Sequence, residues 1–268
     1  MQLFSLLLSA LLPLVAVLVP PGERPAVVDT RIAFSDGFDR LSVGAGGTWG
    51  WRSTAYRDGC TDNPQDYKLD HLTPEALRSE GGALVITARP GDAGRWNTGL
   101  LTTGDSCGSG GSGAQVRTGD FLLTRVRLPQ AGTGAWPALW TWRDGRNELD
   151  VFEWHADRPH TLEFVNHVRG GEGTYSSFDV APGEWTYVGI RFGESSTTWY
   201  VGSDRDRLTE AFDDGAGVGR DFSAYLVLSL SVSSGRYHRA PQQAEPAELA
   251  VDEITVYRGT PPGVPPQR

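Results

Sequence analysis

Beyond residue 30 the chain never holds an apolar i, i+3, i+4, i+7 stripe for three turns. Apolar and polar residues alternate there with a period of two, which a strand satisfies and a helix does not. Leu84, Ile86 and Ala88 share one face of Leu84–Arg89. Thr186, Val188, Ile190 and Phe192 oppose Trp185, Tyr187, Gly189 and Arg191, and Leu226, Leu228, Leu230 and Val232 oppose Tyr225, Val227, Ser229 and Ser231. Strands are also expected at Phe121–Leu128, Trp136–Trp142, Glu148–Trp154, Thr161–Val168, Thr197–Val201 and Leu249–Tyr257, punctuated by Gly, Pro, Asp and Asn. There is no internal repeat and no dividing linker. The pattern predicts one all-β domain over 30–259, a sandwich of two antiparallel sheets of the jelly-roll kind.

The two ends read differently. Leu3–Val19 is apolar apart from Ser5, Ser9 and Pro13, and Pro20-Pro21-Gly22 stops it. Residues 1–29 are therefore expected to be a signal peptide or an N-terminal membrane anchor, which makes the protein secreted or extracellular. Thr260–Arg268 has four Pro in nine residues and reads as a tail. In an oxidising compartment Cys60 and Cys107, the two cysteines of the chain, are expected to pair. The net charge is −9 and Lys68 is the only lysine, which argues against a nucleic-acid partner and against a polybasic membrane patch. A monomer is expected.

Two motif matches fail on context. Gly104-Asp-Ser-Cys-Gly108 fits G-x-S-x-G, but a glycine tract follows where a nucleophile elbow needs a helix. Gly108–Gly113 fits G-x-G-x-x-G without a βαβ unit. Both read as surface loop.

The informative stretch runs from Trp136-Pro-Ala-Leu-Trp140-Thr-Trp142 to Glu148-Leu-Asp150-Val-Phe-Glu153-Trp154. Asp and Glu disfavour strands and burial, yet three acids stand here in an apolar, aromatic strand. Glu148 and Asp150 share a face by alternation; Glu153 joins them only if a β-bulge adds one residue between Asp150 and Glu153. Clustered carboxyls cannot all ionise, so one keeps a proton beside an ionised neighbour, which is the equipment for glycoside cleavage. The competing reading is an acidic, solvent-facing strand edge. The tryptophans favour the first, because indole faces stack on the C–H faces of sugars.

With these residues in view, the chain resembles glycoside hydrolase family 16. Glu148-Leu-Asp150-Val-Phe-Glu153 is similar to its Glu-x-Asp-x-x-Glu signature, preceded by a Trp-Pro-Ala-x-Trp segment. Phe34–Asp39, Gly82–Ala88, Trp96–Thr102, Gly119–Pro129 and Val251–Tyr257 are similar to other family segments in the same order, so the resemblance spans about 31–258. It implies a concanavalin A-like jelly roll with a concave substrate cleft. It also implies a retaining mechanism with Glu148 as nucleophile, Glu153 as general acid/base and Asp150 orienting Glu148. The six-residue signature is the one seen in laminarinase-like and agarase-like members, so an endo-acting hydrolase of β-linked polysaccharide, 1,3-β-glucan first, is expected. A sugar-binding jelly roll without catalysis and a wall-glucan transglycosylase are the alternatives. Several sugar-contacting positions depart from the family: Leu100 stands near its usual Arg, Ser229 at its Asn, and Tyr237 at its Trp.

Trp136, Trp140, Trp142, His167 and Tyr237 are the candidate substrate-binding residues, each with a competing reading as core or surface. No cofactor is required for the chemistry. The resemblance adds a structural Ca²⁺ on the convex face, with Asp252 and backbone oxygens near Asp36 as candidate ligands. His155, His160 and Asp157 match no zinc spacing.

Overall fold

A computed structural model describes residues 31–130, 134–261 and 264. The expected leader, residues 1–29, and most of the expected tail lie outside the described residues. Seventeen strands form two sheets, and among the described residues the only helical segments are three-residue 3₁₀ turns.

The first sheet runs, in spatial order, β15 (Thr209–Asp213), β14 (Thr198–Gly202), β13 (Trp185–Arg191), β8 (Asp120–Arg127), β17 (Ala247–Arg258), β4 (Ala83–Pro90), β5 (Trp96–Thr98) and β2 (Asp70–Leu72). β1 (Arg31–Asp36) pairs with β17, and β3 (Leu77–Glu80) with β4. The second sheet runs β12 (Glu172–Ser176), β11 (Thr161–Asn166), β10 (Arg146–Trp154), β9 (Ala135–Arg143), β16 (Ser223–Val232) and β6 (Leu100–Thr102), with β7 (Gln115–Arg117) also on β16. All pairings are antiparallel except β2 with β5. The all-β sandwich expected from the sequence is the observed architecture.

The core lies between the sheets. Leu226, Leu228, Leu230 and Val232 of β16 and Leu122 and Val126 of β8 meet in it with Trp154, Trp199, Phe152 and Phe164. Burying a side chain of this size stabilises by about 1.5–3 kcal/mol each. The opposite face of β9 and β16 is not left to water alone. Ala138, Trp140 and Val227 pack there against Ala55, Tyr56, Leu72 and Leu100, a second cluster built by the segment around residues 53–72 as it folds over the sheet. Tyr56 Oη donates to Asp70 Oδ2 at 2.7 Å, and Asp70 Oδ1 accepts from the Val232 amide at 2.8 Å, which fastens this segment to β16.

Cys60 and Cys107 are bridged, joining that overlying segment to the glycine-rich loop 104–113. The closed loop spans a sequence separation of 47, worth on the order of 4 kcal/mol in the chain-entropy view. Ser106 in that loop donates to the Gly110 carbonyl, as a turn residue does, consistent with the rejection of a nucleophile elbow. Thiol labelling of the unreduced, denatured protein, read by intact mass, is expected to add no label. Reduction is expected to lower stability by about 4 kcal/mol. Two labels without reductant would contradict the bridge.

Candidate active site

β10 carries the acids, and its register explains how they meet. Asp150 faces Val165 of β11 and Glu153 faces Glu163, so three steps along β10 match two along β11; the same slip is seen against β9. This is the β-bulge expected from the sequence. Leu149, Val151, Phe152 and Trp154 all enter the core. Glu148, Asp150 and Glu153 are left together on the other face, where they line one open groove. At the bulge, the indole Nε1 of Trp199 on the opposite sheet donates to the Asp150 carbonyl at 2.9 Å, through the core.

The groove, about 720 Å³, narrows into a cavity of about 270 Å³, and Glu148, Asp150, Glu153, His167, Lys68 and Asp66 line both. Trp136 of β9 donates its Nε1 to Glu153 Oε1 at 2.8 Å, which fixes that carboxylate. His167, just beyond β11, places its Nε2 3.2 Å from Asp150 Oδ2. Asp150 is almost fully buried, while Glu148 and Glu153 are half-buried.

Burial, then the neighbouring Glu153 and Glu148, push the Asp150 carboxyl up to about 8, against the pull of His167. The hydrogen bond to Asp150 pushes His167 up to about 9. The two shifts compete, because an ionised Asp150 is what favours the imidazolium. Both nevertheless point the same way: this group of acids and one imidazole holds on to protons at neutral pH. Burial raises Glu148 too, and the positive charges of His167 and Lys68 oppose that rise. A carboxyl raised by burial but faced by two cations, beside a second carboxyl set by an indole donor, is an arrangement suited to nucleophilic attack assisted by a proton donor.

The other candidates divide. Trp136 lines the wide groove and Trp142 the narrow cavity; Trp140 lines the cavity although it is nearly buried, with its Nε1 on Ser229 Oγ at 3.2 Å. Trp142 Nε1 donates to Thr54 Oγ1 at 3.0 Å. Tyr237 stands exposed at the rim, edge-on to Tyr67. Leu100 is buried beneath the cavity rather than on its surface. Asp252 meets a cation of the protein's own: its Oδ2 accepts from Arg125 Nη1 at 2.7 Å, while its Oδ1 is buried without a hydrogen-bond partner. One free carboxylate oxygen beside a guanidinium is a poor fit for an ion that takes 6–8 oxygens. His160 turns its Nδ1 to the Val180 carbonyl, away from His155. His155 instead stacks on His238 at 3.3 Å and lies near Trp136, and burial pushes it down to about 2, so it is neutral.

Sequence reasoning missed the contribution of the loops. Arg57, Asn63, Asp66 and Lys68 come from the segment before β2, and on the other side the loop residues Arg158 and His238 widen the groove beside Glu163 of β11 and Glu172 of β12. Loop residues carry no periodicity. The one available signal was that Lys68 is the sole lysine of the chain.

No protein-family profile matches this chain, and no curated protein matches it in sequence. Its shape is similar to that of solved structures. The catalytic domain of an endo-1,3-β-glucanase (laminarinase) from Thermotoga petrophila RKU-1 has a TM-score of 0.67 at 20% identity, covering 88% of this chain and 100% of that one. The endo-β-1,3-glucanase from Pyrococcus furiosus has a TM-score of 0.67 at 20% identity, covering 85% and 94%. SCLam, a non-specific endo-β-1,3(4)-glucanase from family GH16, has a TM-score of 0.64 at 21% identity, covering 90% and 95%. The fold is laminarinase-like, that of glycoside hydrolase family 16.

Two measurements check this geometry. The His167 imidazole is expected to titrate near 9 by NMR and to fall towards its ordinary value near 6.5 in Asp150→Asn. Its folded value is raised, so what the hydrogen bond contributes is complete below the unfolded value and is lost as pH rises through about 9. Trp199→Phe keeps a ring in the core but removes the donor to the Asp150 carbonyl. It is expected to cost about 1–3 kcal/mol in denaturant unfolding.

Proposed function

We propose that this protein is an endo-acting glycosidase that hydrolyses β-linked polysaccharide, 1,3-β-glucan first, with retention of anomeric configuration. The observation that carries the reading is the bulge in β10, which brings Glu148, Asp150 and Glu153 onto one side, in a groove walled by Trp136, Trp140 and Trp142. The laminarinase-like fold supports the same reading.

In this reading Glu148 attacks the anomeric carbon while Glu153 gives its proton to the departing glycosidic oxygen. A glycosyl ester on Glu148 results. Glu153, now a carboxylate, takes a proton from water, and the hydroxide oxygen displaces Glu148 from the sugar carbon. Trp136 holds Glu153 in place through both steps. Asp150 and His167 sit beside Glu148 as a hydrogen-bonded pair, and so orient it and spare it a second full negative charge. Export belongs to the same proposal, and the Cys60–Cys107 bridge suits an oxidising compartment.

Separating the two glutamates tests the roles. Glu148→Gln is expected to abolish glycosyl-enzyme formation on every substrate, whatever the leaving group. Glu153→Ala is expected to stop cleavage of polysaccharide yet still be glycosylated by an aryl glycoside with a good leaving group. Azide should then restore turnover and give a β-glycosyl azide. An α-azide formed by the Glu148 variant supports the nucleophile assignment, and one formed by the Glu153 variant reverses it. Asp150→Asn is expected to be milder than either change.

A further inference from the structure

Lys68 does not behave as a surface lysine. Its backbone is fixed, with its amide on the Asn63 carbonyl at 3.4 Å and the next amide, of Leu69, on the Val232 carbonyl at 2.8 Å. Its ammonium lies 4.5 Å from the ring centre of Trp136, 5.8 Å from that of Tyr56 and 5.9 Å from that of Trp140. It has no ion-pair or side-chain hydrogen-bond partner among the described residues. A lysine normally extends its charged head into water. This one is held over the indole of Trp136, the ring of the three that is open to the groove.

The neighbours share this unfinished state. Arg57 lines the same cavity, also without an ion-pair partner among the described residues. Asn63 is 3% exposed; its Nδ2 donates to Asp66 Oδ2 at 2.6 Å, while its Oδ1 is buried and accepts nothing. A buried acceptor left empty costs about 1–3 kcal/mol unless something fills it. Two unpaired cations and an orphaned acceptor therefore converge on one end of a groove whose other charges are mostly carboxylates.

From this arrangement we infer that the groove selects a glycan bearing an anionic substituent, a carboxylate or a sulfate ester, on the sugar lying over Trp136. Lys68 and Arg57 receive the anion and Asn63 Oδ1 accepts a sugar hydroxyl. A neutral ring entering here has to displace the ammonium from the indoles and leaves it unpaired. A charged ring draws the ammonium off the indole into an ion pair and takes the vacated face. The carboxylates Asp66, Glu148 and Glu153 repel the anion elsewhere, which fixes its register along the groove. The inference rests on the glycosidase reading and narrows its substrate from plain 1,3-β-glucan to a β-linked chain that carries an acidic group.

The test uses the full chain with Glu148→Gln, so that binding is read without turnover. A short 1,3-β-gluco-oligosaccharide is compared by calorimetry with its carboxymethylated and its sulfated derivatives. At low salt at least one charged form is expected to bind about tenfold more tightly than the neutral one, and the two derivatives distinguish carboxylate from sulfate. That preference is expected to vanish in the Glu148→Gln, Lys68→Met double variant, to return with Lys68→Arg, and to shrink as salt rises. A lysine that only tuned Glu148 would leave the ratio unmoved, because the Gln carries no charge. Equal binding of all three ligands, no binding of any, or a preference indifferent to Lys68→Met overturns the inference. Absence of cleavage by the unsubstituted protein, with the binding preference intact, overturns the glycosidase reading alone.

Discussion

The indole N–H of Trp199 crosses the core to the carbonyl of Asp150, at the residue where β10 gains its extra member. With strict alternation Glu153 would point between the sheets, beside Phe164 and Trp199, and Phe152 would point into the groove. Burying an unpaired carboxylate in such a place costs several kcal/mol, and exposing Phe152 forfeits a large apolar contact. The extra residue removes both penalties at once, since Val151 and Phe152 are then both fully buried and the three acids emerge together. The positions of Trp136 and His167 follow from that register. Trp136 can reach Glu153 because β9 is paired to β10 across the slip, and His167 can reach Asp150 because β11 is paired on the other side.

Much of this was legible in the chain itself. Long strands such as β16 and β13 announced themselves by alternation, because one face must be apolar to meet the other sheet. The bulge was legible because three acids in an aromatic strand make no sense in strict alternation. What did not show were short pieces such as β2, β5 and β7, three residues each and too brief to display a period. Their place is set by partners far away: β7 joins β16 more than a hundred residues later. The same holds for the rim. Asn63, Asp66 and Lys68 sit on a segment with no pattern, and only its fastening to β16 through Tyr56, Asp70 and Leu69 brings them over the acids. Nothing in the order of residues tells that Arg125, on the neighbouring strand, lies against Asp252.

The groove thus has two builders with different tolerances. The sheet sets the acids, and its positions are locked by ladder bonds and a packed core. The overlying segment sets the cations, and it depends on one disulfide, a Tyr–Asp hydrogen bond and a few backbone contacts. In the proposed reading, chemistry and selectivity are thus held by separate parts of the molecule, and changes in the overlying segment alter which glycan fits while the register of β10 stays as it is.

β17 occupies the middle of its sheet although it is the last strand in sequence among the described residues, with β8 along one side and β4 and β1 along the other. Until residue 258 has been synthesised, β8, β4 and β1 each lack their central neighbour, and the apolar faces of Leu122, Leu84 and Ile86 have no finished wall between them. The first sheet can therefore be completed only after β17 has been made. A ribosome that stalls before this strand leaves a product with three exposed sheet edges, which is a substrate for chaperones and proteases rather than a slightly shorter protein.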